Sequence, residues 1–308
     1  MASPPWPCRS NAPQTCRPKT HDGVDVVYLH GSTFGADLSV FYRFDGRSWA
    51  DALNDAGHAV WGFDWAGYGH SERYPHDATE PAGHMGHALP QLQRVMAAIR
   101  ERNGDKPVAI VAHSWGASVA ASYASRTPQD VRALVLFGPI VPRVPNPAPA
   151  PAPAASPMPS HHPVSIWAQY RRFVEDVPRG QPQVLSEAHF QAWAEAYLAT
   201  DPTAPTRSPP SVWTPAGPGA DVRAWWSGDW LYAPADVQAP TMVVRGEWDS
   251  LCTDTDAATL LGALGSAHTV DCKIEHATHL MHLESQRSVL YRHTNDFLQS
   301  ITTTKEFV

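Results

Sequence analysis

Apolar residues in this chain cluster in short runs bounded by small or polar ones, too short for membrane spans and spaced for strands of a folded core. The runs Val108-Ala109-Ile110-Val111-Ala112 and Val131-Arg132-Ala133-Leu134-Val135-Leu136-Phe137 predict strands, as do Pro240-Thr241-Met242-Val243-Val244 and Val270-Asp271-Cys272-Lys273-Ile274. Helical patterning follows the first run from Ser114 onward, and an apolar helix is expected from about Leu280. Two more helices are predicted between the second and third runs, around Ile166 to Val174 and Ser186 to Ala199. Ser186-Glu187 supplies a helix-start signal for the latter.

The most informative junction is His113-Ser114-Trp115-Gly116, where a strand passes sharply into a helix at a serine. Such a turn strains the backbone, so the residues two before and two after the serine must be small; Ala112 and Gly116 are. A serine hydroxyl is a weak nucleophile at neutral pH and needs a histidine to take its proton and an acid to orient that histidine. Candidates follow the two later strands. The loop after Val244 carries Glu247, Asp249, Asp254 and Asp256, and the loop after Ile274 carries His276, His279 and His282. All lie beyond the carboxyl ends of predicted strands, where an open α/β sheet places its chemistry. Cys252 has no comparable turn around it, and His113 reads as packing beside the nucleophile.

The order Ser114, Asp249, His279 resembles that of the serine α/β-hydrolases with an inserted cap, and the resemblance runs from about Gly23 to the end of the chain. Val26-Val27-Tyr28-Leu29-His30-Gly31-Ser32 is similar to the family's third strand and its His-Gly oxyanion turn. Ala59-Val60-Trp61-Gly62-Phe63-Asp64-Trp65-Ala66-Gly67-Tyr68-Gly69-His70-Ser71 is similar to the fourth strand and its Asp-x-x-Gly-x-Gly-x-Ser loop. The resemblance favours Asp249, which stands in a Gly-x-x-Asp spacing, and His279, which stands in a His-x-x-x-x-Glu spacing ending at Glu284. It implies oxyanion donors in the backbone N–H groups of Ser32 and Trp115. The implied fold is a mostly parallel sheet flanked by helices, with a helical cap. On this division residues 23–140 and 236–308 form the core, 141–164 a Pro/Ala-rich linker and 165–235 the cap. Residues 1–22 form an irregular segment where the family usually has a strand hairpin.

The cap region is rich in tryptophan, and Trp167, Trp193, Trp225 and Trp226 are the expected lining of a wide, apolar substrate pocket. The expected substrate is therefore a bulky ester or lactone rather than a small charged molecule. Parts of the chain, including Tyr42 to Trp49, Gly246 to Thr253 and Thr278 to Glu284, resemble the serine macrolide esterases, which makes a macrolide lactone a candidate. The Ser-Trp-Gly turn is also similar to that of proline iminopeptidases, for which Glu175 and Asp176 would have to hold a substrate amine. A ligand receptor on a hydrolase fold is a further alternative. Dehalogenases and epoxide hydrolases carry aspartate where this chain has Ser114.

Composition narrows the classes further. The 308 residues are 43% hydrophobic, enough for a sizeable core. A net charge of -7 without a long basic run argues against nucleic acid as a partner. No apolar stretch approaches the ~20 residues that span a bilayer, and no secretion signal opens the chain. Cys8, Cys16, Cys252 and Cys272 show neither metal spacing nor a compact disulfide framework. A cytoplasmic enzyme with a small-molecule substrate, no metal and no organic cofactor is expected.

Overall fold

A computed structural model describes residues 14–16, 23–75, 77–143 and 158–303. The Pro/Ala run from Pro145 to Pro153 lies outside the described residues. Seven strands form the main sheet, and six of them run parallel. In chain order they are β1 (Gln14–Cys16), β2 (Asp25–Leu29), β3 (Ala59–Gly62), β4 (Val108–His113), β5 (Val131–Phe137), and then β8 (Thr241–Gly246) and β9 (Thr269–Ile274). Between the last two groups, β6 (His161–Ser165) and β7 (Ser211–Pro215) pair with each other as a separate antiparallel ribbon. The spatial order β1-β3-β2-β4-β5-β8-β9 puts β4, the strand ending at Ser114, in the middle.

Central strands covered on both faces read as near-continuous apolar runs. Accordingly, every residue of β2, β4 and β8 is buried. The edge strand β9 instead alternates, with Cys272 and Ile274 buried and Thr269, Asp271 and Lys273 exposed. Helices α2 (Met85–Asn103) and α3 (Trp115–Arg126) supply one covering layer. The opposite layer comes from α1 (Trp49–Asp55) and α8 (Arg287–Thr303). Helix α7 (Asp254–Ala263) joins β8 to β9 and starts from a capping box in which Thr253 and Asp256 satisfy each other's backbone N–H groups.

The inserted region contains α4 (Ile166–Val174), α5 (Glu187–Ala199) and α6 (Gly217–Trp225) together with the β6–β7 ribbon. Helices α4 and α5 fall where the sequence predicts them, and Ser186 caps α5. Three details differ from the sequence reading. The ribbon begins at His161, inside the stretch assigned to the linker. The helix expected from Leu280 is a 3-10 turn at Met281–Leu283, and α8 begins only at Arg287. The N-terminal segment is not wholly irregular, because β1 pairs antiparallel with β3, Gln14 opposite Gly62 and Cys16 opposite Val60. Backbone pairing, which needs no particular side chain, lets a polar, Pro-flanked segment occupy that edge.

Candidate active site

Ser114 is the pivot between β4 and α3, and its backbone sits at φ 56°, ψ -127°, a left-handed conformation that strains any residue with a side chain. Packing holds it there. Its N–H donates to the Phe137 carbonyl at 2.8 Å, and its own carbonyl accepts from Ala117 N–H at 2.9 Å. The smallness of the neighbours is a steric requirement. A side chain at Gly116 would place its Cβ 2.4 Å from the His30 carbonyl oxygen, and one at Gly31 would reach 3.0 Å from the Ser114 Cβ. Ala112 is fully buried and its methyl is accommodated.

The other two candidates converge from β8 and β9. His279 Nδ1 lies 2.9 and 3.0 Å from the two Asp249 carboxylate oxygens, with both side chains buried. Asp249 Oδ1 also accepts from the N–H groups of Leu251 and Cys252, each at 2.9 Å. The acid is thus fixed by backbone donors on one side and by the imidazole on the other, the arrangement that sets a histidine's tautomer and leaves Nε2 to act as base. His279 Nε2 makes no hydrogen bond among the described residues. A residue the sequence reading did not single out, Gly138, lies directly beneath the pair at φ 54°. A Cβ there would come within 2.9 Å of the His279 ring and 3.0 Å of Asp249 Oδ2.

The rival residues have other engagements. Glu247 accepts from His276 N–H, and Asp254 pairs with Arg245 and Lys273. Asp256 pairs with Arg143, and Cys252 is a buried thiol whose pKa is raised, chiefly by desolvation. His282 is buried against Phe137, Phe34 and His113, and neither of its ring nitrogens has a partner among the described residues. Burial pushes its pKa down to about 3, so it stays neutral. His113 stacks on Phe137 and contacts the His279 carbonyl through Nε2 at 3.0 Å, which agrees with a packing role. Glu284 holds the loop before His279, accepting from both the N–H and the hydroxyl of Thr278. Burial, reinforced by Asp176 and Asp249, raises its pKa to about 7.

Around the expected oxyanion donors the scaffold is rigid. Trp115 is the first residue of α3, so its N–H has no acceptor within the helix. Its indole donates to Asp221 Oδ2 at 2.7 Å, and the same oxygen accepts from Met85 N–H at 2.7 Å, which ties α3, α2 and cap helix α6 together. On the Ser32 side, His30 Nδ1 donates to the Gly31 carbonyl at 2.7 Å, while Trp65 N–H donates to His30 Nε2 at 3.0 Å. Trp65 and Trp115 then meet edge-on, 5.7 Å between centroids. Asp64, the acid of the Gly-rich loop, accepts from Ala36 N–H at 2.7 Å and His70 N–H at 3.0 Å, joining that loop to the segment after Ser32. Thr33, next to Ser32, is held at φ 81°, a conformation a β-branched residue adopts only under constraint.

The four cap tryptophans part company. Trp193 is buried at the cap–core junction, edge-on to Phe34 at 5.1 Å, with its indole donating to the Leu38 carbonyl. Trp225 is buried in the main core with α3, and Trp226 is half-buried under the Arg143 guanidinium. Trp167 is 69% exposed and stacks on Tyr170, so it lies at the surface rather than in a pocket wall. Glu175 and Asp176 are both engaged by Arg172, at 2.8 and 3.1 Å. Among the described residues, no group of three or more His, Cys, Asp or Glu is placed to hold a metal ion, and no helix is long and apolar enough to cross a membrane.

A strained serine at the head of the central parallel strand, with the acid and the histidine on the loops after β8 and β9, is the placement of chemistry typical of an open α/β sheet. The family model for the alpha/beta hydrolase fold matches residues 26–286, and the chain belongs to that family. Among solved structures, it is similar to a monoacylglycerol lipase from Paleococcus ferrophilus (TM-score 0.58, 15% identity, covering 94% of this chain and 99% of that one). It is also similar to the esterase EaEST from Exiguobacterium antarcticum (TM-score 0.60, 14% identity, covering 93% and 94%). A third is a thioesterase domain from the curacin biosynthetic pathway (TM-score 0.59, 16% identity, covering 93% of each chain). At these identities the likeness is one of fold. No curated protein matches the sequence.

Proposed function

We propose that this hydrolase cleaves a carboxylic ester or lactone through an acyl-enzyme on Ser114, with His279 as general base and acid and Asp249 as its orienting partner. The observation that carries the reading is the buried His279–Asp249 pair, at 2.9 Å, together with a serine in strained elbow geometry at the head of β4. Attack by Ser114 Oγ on the carbonyl carbon sends the serine proton to His279 Nε2 and negative charge to the carbonyl oxygen. The N–H groups of Ser32 and Trp115 receive that charge, and each such donor is worth about a hundredfold to a thousandfold in rate. His279 then protonates the departing alkoxide, and water, activated by the same histidine, releases the acid and restores Ser114. The lipase, esterase and thioesterase neighbours support acyl transfer as the reaction class.

A bulky substrate, with a macrolide lactone as candidate, is the finer part of the proposal, and the aromatic cap–core junction around Phe34, Phe190 and Trp193 supports it. Arg172 neutralises the two carboxylates that an iminopeptidase would aim at a substrate amine, which weighs against that alternative. The buried free thiols Cys252 and Cys272 support a cytoplasmic location. Mass spectrometry of simple esters, aryl esters, macrolides and prolyl amides, incubated with wild type and Ser114→Ala, tests the whole reading. Hydrolysed ester, or a macrolide heavier by one water, formed by wild type alone is the expected result. Identical mixtures from the two proteins would refute it.

A further inference from the structure

The acid and the histidine are held together as one unit. Trp248 N–H donates to the Ala277 carbonyl at 2.9 Å and His276 N–H to Glu247 Oε2 at 2.9 Å, so the loop after β9 is tied to the loop after β8. The two are also in close contact: a Cβ on Gly246 would come 2.2 Å from the Ala277 carbonyl oxygen and 2.7 Å from that of Thr278. The nucleophile belongs to a different unit, because β5 and β8 separate β4 from β9 in the sheet. Among the described residues, one hydrogen bond crosses from the nucleophile strand to the histidine loop, and it comes from His113. Its Nε2 lies 3.0 Å from the His279 carbonyl oxygen, with both residues buried. A carbonyl oxygen offers only lone pairs, so Nε2 carries the proton. Desolvation first, then the neighbouring His282 and His279, hold the His113 pKa well below its ordinary value, which leaves the ring neutral and Nδ1 bare. On the Nδ1 side the oxyanion turn closes in, since a Cβ on Gly31 would come 3.2 Å from His113 Nδ1 and 3.0 Å from the Ser114 Cβ. One face of the ring stacks on Phe137 at 4.4 Å, and the Phe137 carbonyl accepts the Ser114 N–H.

We propose that His113 is a positioning residue that braces the His279 backbone against the nucleophile elbow, so that the acid–histidine pair and Ser114 keep one fixed spacing. It joins the elbow through the chain, the oxyanion turn by contact and the histidine loop by a hydrogen bond. Packing on Phe137 alone would be served as well by a phenylalanine; the bond to the His279 carbonyl would not. A neutral donor suits the place, because a lysine or arginine would put a fixed cation beside the imidazolium that His279 becomes during acylation. A misplacement of roughly 1 Å between reacting groups costs about a hundredfold in rate, whereas substrate binding is untouched by it, so loss of the brace falls on kcat.

Three variants separate the bond from the packing. His113→Phe keeps the stack and deletes the donor, His113→Gln puts an amide N–H close to where Nε2 stood, and His113→Asn keeps the polarity but is too short to reach. Steady-state rates on an ester that wild type hydrolyses should show kcat lowered about tenfold to a hundredfold in His113→Phe and His113→Asn, with KM within about twofold of wild type, and most of the loss recovered in His113→Gln. An unchanged kcat in His113→Phe, a loss shared equally by all three variants, or a change in KM alone would overturn the brace. The effect on rate rests on the ester-hydrolase reading, so two further measurements need no turnover. Nitrogen NMR of histidine-labelled wild type should find His113 as the neutral Nε2–H tautomer at neutral pH, and a charged ring or the Nδ1–H tautomer refutes the brace. Crystal structures should show His279 displaced relative to Ser114 in His113→Phe and restored in His113→Gln, and an unmoved His279 in His113→Phe likewise refutes it. Absence of Ser114-dependent turnover of every ester, with His279 displaced as expected, would count against the hydrolase reading and leave the brace standing.

Discussion

At the scale of single residues, the site depends on positions where one atom more would not fit. Replacing Asp249 with Asn keeps the shape but removes the charge that fixes the imidazole tautomer, and a fall in kcat on the order of 10⁴ is expected from steady-state rates on an ester substrate. Gly138→Ala tests a subtler requirement. Its new methyl would press on His279 and Asp249 at about the distance where neighbours must move, and a displacement of roughly 1 Å costs about a hundredfold. A Gly138→Ala enzyme with wild-type kcat would show that the pair tolerates displacement. Ser114, Asp249 and His279 could be singled out in the sequence because each follows its strand directly, and the structure places the last two side by side. Gly138 and Asp221 could not be, because each acts through a neighbour distant in the chain. Gly138 meets residues from two other loops, and Asp221 meets Trp115 across 106 positions. Of the cap tryptophans, Trp167 lies at the surface, which the chain alone does not tell, because ring size is visible in a sequence and ring direction is not.

At the scale of elements, the sheet explains why the reading of the core succeeded and that of the N-terminal edge did not. Strands β2, β4, β5 and β8 are largely apolar because both faces are covered, and such runs announce themselves. The edge strand β1 is held by backbone pairing to β3, and the turn at Met281–Leu283 is apolar because it is buried rather than because it is helical. The join between cap and core is also invisible to periodicity. Asp221 of α6 receives the Trp115 indole at the base of the nucleophile helix and the Met85 N–H at the start of α2, and hydrogen bonds to a charged group are worth about 1.5–3 kcal/mol each. Asp221→Ala should lower thermal stability by several degrees and reduce kcat more than it raises KM. Asp221→Asn, which keeps an acceptor in place, should recover most of both. Equal loss in the two variants would mean that volume, not hydrogen bonding, is what matters there.

At the scale of the whole molecule, the buried histidines set the response to acid. Burial lowers the pKa of His30 and His113 and takes His282 to about 3, against an ordinary value of 6.5. Below about pH 6.5 the unfolded chain therefore binds protons that the folded one refuses, and stability falls as pH drops through that window. Glu284 acts oppositely. Its pKa is raised from 4.5 to about 7, so between those values the folded state holds a proton that the unfolded state has lost, and that contribution disappears as pH rises. Three histidines outweigh one glutamate. Urea unfolding at pH 5 and pH 7 should show net proton uptake on unfolding and lower stability at pH 5, with a smaller difference in His282→Phe; a pH-independent stability would contradict neutral burial of these rings. The central claim is that Ser114 becomes acylated. Its most direct measurement is intact-protein and peptide mass spectrometry after brief exposure to a fluorophosphonate or an activated ester. The account predicts a single adduct on the peptide containing Ser114, absent in Ser114→Ala and formed far more slowly in His279→Ala. No adduct, or one on another residue with Ser114 unmodified, would contradict it.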